Sequence, residues 1–145
     1  MLIRIHPENP QARQLTMVKE CLDDGGIIAY PTDTIYGLGC SILHHNAVEK
    51  ICAIKKVDPE KAQLSFICAD LSDLSAYAKS IDNALYRILK KTLPGPYTYI
   101  LPASKQVPKI LQSKKKTIGL RIPNNKIALS IIETLGHPIL SASFP

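Results

Sequence analysis

The spacing of apolar residues along this 145-residue chain changes repeatedly between alternation, short runs and helical periods. Residues 2–6 alternate and read as a short strand. Asn9-Pro10 starts a helix, with proline suited to the first helical position; it runs to about Leu22 and stops at Gly25-Gly26. Residues 27–30 form a short apolar strand. Val48, Ile51, Cys52 and Ile54 recur at helical spacing, which predicts a helix over 46–56. Residues 64–69 read as a strand. Asp70 can cap a helix through Ala78, and Asp82 or Asn83 another through Thr92. Pro94-Gly95-Pro96 marks a turn, followed by an alternating strand over 97–101. A short helix over 109–112, a strand over 117–122, a helix over 125–135 and a strand over 139–143 complete the pattern. Strands alternating with helices predict a layered α/β domain.

No linker, repeat or low-complexity run divides the chain, so residues 1–145 are expected to form one domain. Hydrophobic residues make up 46% and charged residues 21%, a balance that argues against disorder. No stretch approaches the roughly 20 apolar residues of a membrane span. The N-terminal residues lack the apolar core of a signal peptide, so a cytoplasmic location is the expectation. Cys21, Cys40, Cys52 and Cys68 show no C-x-x-C spacing. They read as reduced, buried thiols rather than metal ligands. The four histidines show no metal-ligand spacing either, so no protein-bound metal is expected.

Charge changes the picture more than composition does. Residues 1–82 hold eight basic and eleven acidic side chains, a net −3. Residues 83–145 hold ten basic and one acidic, a net +9. No acid occurs between Asp82 and Glu133. Such a one-sided positive field attracts phosphates, nucleotides or RNA; the plainer alternative is a solvated basic face.

Five segments carry candidate chemistry. In Pro31-Thr32-Asp33-Thr34-Ile35-Tyr36-Gly37-Leu38-Gly39, two hydroxyls, a carboxylate, a phenol and two glycines crowd into a loop after a strand. Ligands of open α/β sheets sit at that position, and small polar groups in such density favour a binding loop over a structural turn. The loop lacks the G-x-x-x-x-G-K-[ST] pattern of nucleotide hydrolases. Lys55-Lys56 ends the next helix, where cations complement the helix dipole or contact a phosphate. Pro94-Gly95-Pro96-Tyr97-Thr98 is a rigid turn feeding a strand. Arg121 stands inside the apolar run Thr117-Ile118-Gly119-Leu120-Arg121-Ile122-Pro123. A guanidinium there needs an anionic partner, either a ligand or a carboxylate such as Asp33. Strand alternation puts Ser141 and Ser143 on one face.

In this order and combination, the segments resemble the YrdC/YciO family, whose best-known members are threonylcarbamoyl-adenylate synthases. The run Gly25 to Gly39 is highly specific for it, with Pro94-Gly95-Pro96-x-Thr98 and Thr117 to Pro123 in support. Ile5-His6-Pro7-x-Asn9-Pro10, Asp70-Leu71-Ser72 and Tyr77 look most like the YciO branch. The resemblance implies a twisted, mixed-to-parallel open sheet with helices packed around a large, positively charged cavity. It implies binding of ATP, L-threonine and bicarbonate, with Mg2+ accompanying ATP, and release of pyrophosphate on forming threonylcarbamoyl-AMP for the t6A37 modification of tRNA. Association with double-stranded RNA, tRNA and other tRNA-modification proteins is implied as well. Thr32, Arg121 and Ser141 fall where the family holds threonine; Lys55, Thr117 and Ser143 fall where it holds the nucleotide. Thr34, Tyr36, Lys56 and Thr98 are further candidates.

The chain also departs from the family pattern. The family's Lys-x-Arg reads Lys55-Lys56-Val57, and its Ser-x-Asn reads Ser143-Phe144-Pro145. Asp58–Gln63 replaces the usual basic approach to the next strand, and the C-terminal part of the family domain is expected to be absent. These departures leave two readings: a synthase, or a non-catalytic RNA- or nucleotide-binding module with a degenerate site.

Overall fold

The computed structural model describes residues 1–58 and 64–143. Among these residues, six strands form one sheet: β1 (Ile28–Tyr30), β2 (Gly37–Ser41), β3 (Ser65–Ile67), β4 (Tyr99–Pro102), β5 (Thr117–Arg121) and β6 (Ile139–Ser143). Their order is β1-β2-β6-β3-β5-β4. The sheet is mixed, with parallel pairing confined to β3 and β5. Among the described residues, five α-helices accompany it: α1 (Ala12–Asp23), α2 (His45–Lys55), α3 (Leu71–Tyr77), α4 (Asn83–Thr92) and α5 (Lys126–Leu135).

Strand alternation divides the interior into two cores. Leu15, Val18 and Leu22 of α1 pack with Ala128, Ile131, Ile132 and Leu135 of α5 against Tyr30, Ile67 and Ile139. On the other face, α2, α3 and α4 contribute Val48, Ile51, Leu74 and Leu89 to a core with Phe66, Ile118, Leu120 and Leu140. Neighbouring residues such as Phe66 and Ile67, or Ile139 and Leu140, thus serve opposite layers, as a period of two requires.

Local chemistry sets the helix ends. The Asp70, Asp82 and Asn125 side chains accept from the backbone N–H groups of Asp73, Leu85 and Ala128 at 2.7, 2.8 and 3.0 Å. Gly136, with φ of 89°, closes α5 in the left-handed conformation glycine adopts most readily.

Three expectations require correction. Residues 2–6 form no strand. The His6 Nδ1 accepts the N–H groups of Glu8 and Asn9, and the His6 N–H itself donates to Gln11. Ile3 and Ile5 do pack against the α1–α5 core; alternation revealed an apolar face, not a ladder partner. The loop expected over 31–39 ends at Tyr36, because Gly37 to Ser41 is the wholly buried β2. Of the cysteines, Cys40, Cys52 and Cys68 are buried as expected, whereas Cys21 is exposed; all four are free thiols.

Candidate functional site

Register assembles the site. On β5, Ile118 and Leu120 enter the core beneath α2–α4, so Thr117, Gly119 and Arg121 face the opposite side. Ser65 pairs with Gly119 and with Ser141, and Ile67 pairs with Arg121 and Ile139. Gly37 pairs with Ser143 and Gly39 with Ser141. The result is a polar band across β5, β3, β6 and β2 on one face of the sheet.

A cavity of about 280 Å3 lies on this band. Thr32, Thr34, Tyr36, Arg121 and Ser141 line it, together with Tyr30. A larger cavity of about 750 Å3 adjoins it, with Thr117 in its wall. Ser65, Thr98 and Ser143 line both, so the two adjoin at these residues as a smaller and a larger lobe. The sequence candidates thus sort by lobe: Thr32, Arg121 and Ser141 in the smaller, Thr117 in the larger, Ser143 and Thr98 at the junction. Lys55 lines neither lobe, but its Nζ donates to the Ser143 carbonyl at 3.0 Å. Lys56 is exposed beyond the end of α2 with φ of 56° and reaches neither cavity. Val57 is exposed as well. Phe144 and Pro145, and all of Asp58–Gln63 except Asp58, lie outside the described residues.

The loop between β1 and β2 is tied to β5 and the β5–α5 turn. Arg121 Nη2 donates to an Asp33 carboxylate oxygen and to Thr34 Oγ1, the latter at 3.2 Å. The other Asp33 oxygen accepts the Asn124 N–H at 3.1 Å. Within the loop, Thr32 Oγ1 donates to the Ile35 carbonyl at 2.6 Å and accepts the Thr34 N–H. The Arg121–Asp33 side chains are 15% and 14% exposed, so the pair is desolvated enough to hold a fixed geometry. Both readings of Arg121 therefore meet in one side chain: it has a carboxylate partner and it lines the smaller lobe. Among the described residues its buried Nε has no hydrogen-bond partner, an uncommon state for a buried donor.

Tyr30 is the contributor that sequence reading passed over. Its hydroxyl lies 2.5 Å from Ser141 Oγ. Burial pushes the phenol up to about 12, against the opposing effects of that hydrogen bond and of the Arg121 charge. The ring lies across β2: a Cβ on Gly37 would come within 2.9 Å of it, and one on Gly39 within 3.1 Å. The Gly-Leu-Gly pattern therefore makes room for an aromatic ring on a strand rather than flexing a loop. Ser65 was passed over too, since an isolated serine in a short strand carries no sequence signal.

The arrangement offers a guanidinium, hydroxyls and a phenol in a pocket of amino-acid size, beside a larger lobe walled by Val48, Leu64, Leu111 and Ile118. Among the described residues, no group of three His, Cys, Asp or Glu side chains gathers as a metal site would require. No described helix is long and apolar enough to cross a membrane.

Comparison with known proteins agrees with the geometry. The Sua5/YciO/YrdC family model, described as "Telomere recombination", matches residues 20–145. An uncharacterized protein of Haemophilus influenzae is 51% identical over 96% of this chain, which spans 67% of that relative. A threonylcarbamoyl-AMP synthase of Chromobacterium violaceum is 35% identical, covering 94% of this chain and 70% of its own length. The crystal structure of E. coli YciO superposes with a TM-score of 0.90 at 45% identity, covering 97% of this chain and 68% of its own. P. abyssi Sua5 complexed with L-threonine superposes with a TM-score of 0.88 at 31% identity, covering 99% of this chain and 42% of its own. The sequence motifs, the strand order and these similarities converge: the chain belongs to the Sua5/YciO/YrdC family.

Proposed function

We propose that this protein binds L-threonine in the smaller lobe and ATP in the larger, and joins them with bicarbonate as threonylcarbamoyl-AMP for tRNA modification. One observation carries the reading: the residues that resemblance assigns to threonine line the smaller cavity, while of those assigned to nucleotide Thr117 lines the adjoining larger one, Ser143 lines both and Lys55 reaches the Ser143 carbonyl. A reaction joining two ligands needs that contiguity, because holding both partners in contact removes much of the entropic barrier. Arg121 would take the threonine carboxylate as a planar fork. Ser141, Thr32 and Thr34 would orient the amino acid. Lys55 would stabilise charge on the nucleotide phosphates beside Ser143, with Mg2+ accompanying ATP. The synthase name of the C. violaceum relative and the threonine-bound Sua5 support this reading.

A second reading rests on Val57. An exposed valine stands in the family's arginine position and reaches neither lobe. Losing one such donor costs about 10²–10³ in rate, which favours a non-catalytic module that binds double-stranded RNA or tRNA. The deciding experiment incubates the protein with ATP, L-threonine, bicarbonate and Mg2+, following pyrophosphate and the threonylcarbamoyl adduct. Threonine-dependent pyrophosphate release is expected, slower than for a family member with the full Lys-x-Arg and Ser-x-Asn patterns. ATP and threonine binding without any adduct would decide for the second reading.

A further inference from the structure

The lysine run 114–116 is not a loose basic tail. The Ser113 hydroxyl accepts the N–H groups of Lys115 and Thr117, at 3.2 and 3.1 Å, and lies 2.7 Å from Thr117 Oγ1. Ser113 N–H donates to the Thr117 carbonyl, Lys116 N–H donates to the Ser113 carbonyl, and Ala103 N–H holds the Lys116 carbonyl at 2.9 Å. Lys116 adopts a φ of 58°, which turns the chain sharply into β5. The outcome is that Lys114 and Lys115 line the larger lobe beside Thr117. Neither forms an ion pair among the described residues. One carboxylate, Glu49 on α2, lines the same lobe and would direct an anion away from the α2 wall toward the lysine turn.

We propose that the Ser113–Thr117 turn is a phosphate clamp, in which Lys114 and Lys115 hold the phosphate chain of a nucleotide in the larger lobe and supply the positive charge that Val57 does not. This rests on the nucleotide reading above for the ligand's identity, and it is separable from catalysis. The hydrogen-bonded turn fixes the backbone from which two ammonium groups reach a phosphate as point charges on flexible stems, and the apolar wall of the lobe leaves room for a base.

The test is calorimetric titration of the full chain and of Lys114→Gln/Lys115→Gln with ATP and with adenosine. Lys105→Gln/Lys109→Gln removes two charges of the same acid-free span outside the lobe and serves as the control. ATP affinity is expected to fall about ten- to hundredfold in the first variant, the scale of one or two charge-assisted contacts. Adenosine binding and the control should stay unchanged. Equal loss for ATP and adenosine, unchanged ATP binding, or equal loss in the control overturns the clamp. So does a parent protein that binds no ATP, or a variant that loses double-stranded RNA while keeping ATP. The synthase reading fails separately: lysine-dependent ATP binding without pyrophosphate release leaves the clamp standing. Pyrophosphate release with an unchanged ATP KM in the variant removes the clamp and keeps the synthase.

Discussion

Arg121 and Asp33 show how one side chain can be structural and ligand-directed at once. The carboxylate bridges Arg121 and the Asn124 backbone N–H, so it pins the guanidinium, while Nε has no partner among the described residues. Arg121→Leu should cost about 2–3 kcal/mol, because it strands a largely buried Asp33 charge. Adding Asp33→Asn should recover most of that loss, since an amide oxygen can still accept from Asn124. L-threonine binding should stay lost in both variants. Denaturant melts and calorimetry separate the two effects; a double variant that binds threonine like the parent would make the pair purely structural. Pairing with Asp33 was one of two alternatives left open by the sequence, since an arginine in an apolar strand demands an anion without naming it.

At the scale of elements, α3 carries a conflict between helix capping and burial. Asp73 lies in its first turn, where a negative charge suits the helix dipole, and accepts the Ala69 N–H at 3.2 Å. Burial nevertheless raises its carboxyl above 3.8; the nearby Asp70 charge adds to this, while the Ala69 hydrogen bond and His137 oppose it. The folded state therefore binds this proton more tightly than the unfolded chain. The stability it contributes is complete below pH 3.8 and is lost as pH rises through the raised value. Asp73→Asn should accordingly become more stable relative to the parent as pH rises from about 3 to 7, measured as a difference in melting midpoints. A difference growing toward acid would mean that the ionised carboxylate is the stabilising form. The same scale explains the Pro31–Gly39 segment. Its composition resembles a loop throughout, but pairing with β6 and packing of Tyr30 convert the glycine end into strand.

Over the whole molecule, the charge asymmetry becomes a spatial question. The acid-free span from 83 to 132 runs through α4, the β4–β5 connection and the start of α5, and its exposed cations include Arg87, Lys90, Lys91 and Lys105. Double-stranded RNA should bind this surface with an affinity that falls linearly in log–log salt plots, through counterion release. If roughly six phosphates are neutralised, the loss is about a thousandfold between 50 and 200 mM salt. Binding that stays flat across that range, or is absent at low salt, would confine the positive field to the nucleotide lobe.

The sequence alone determined most of the segments that fold and the face each presents, but it misread residues 2–6 as a strand and missed β2. Helices α2 to α5, β1 and β3 to β6 fall within a few residues of where periodicity and capping residues place them, because those signals are local. The chemistry of the motifs was also legible, since an arginine in an apolar run or hydroxyls at alternate positions carry their meaning in one dimension. Which motifs meet was decided only by tertiary structure. Strand order sets Ser141 across from Ser65 and Ser65 across from Gly119, although these residues lie far apart in the chain. A Cβ on Gly119 would come within 2.6 Å of Ser65 Oγ, a closeness that nothing near Gly119 in sequence announces. Tyr30 likewise reads as the end of an apolar strand until β2 and β6 pair and its hydroxyl meets Ser141. Periodicity records the direction of each side chain, whereas strand order follows from burying two faces of one sheet at once. That choice depends on all the elements together.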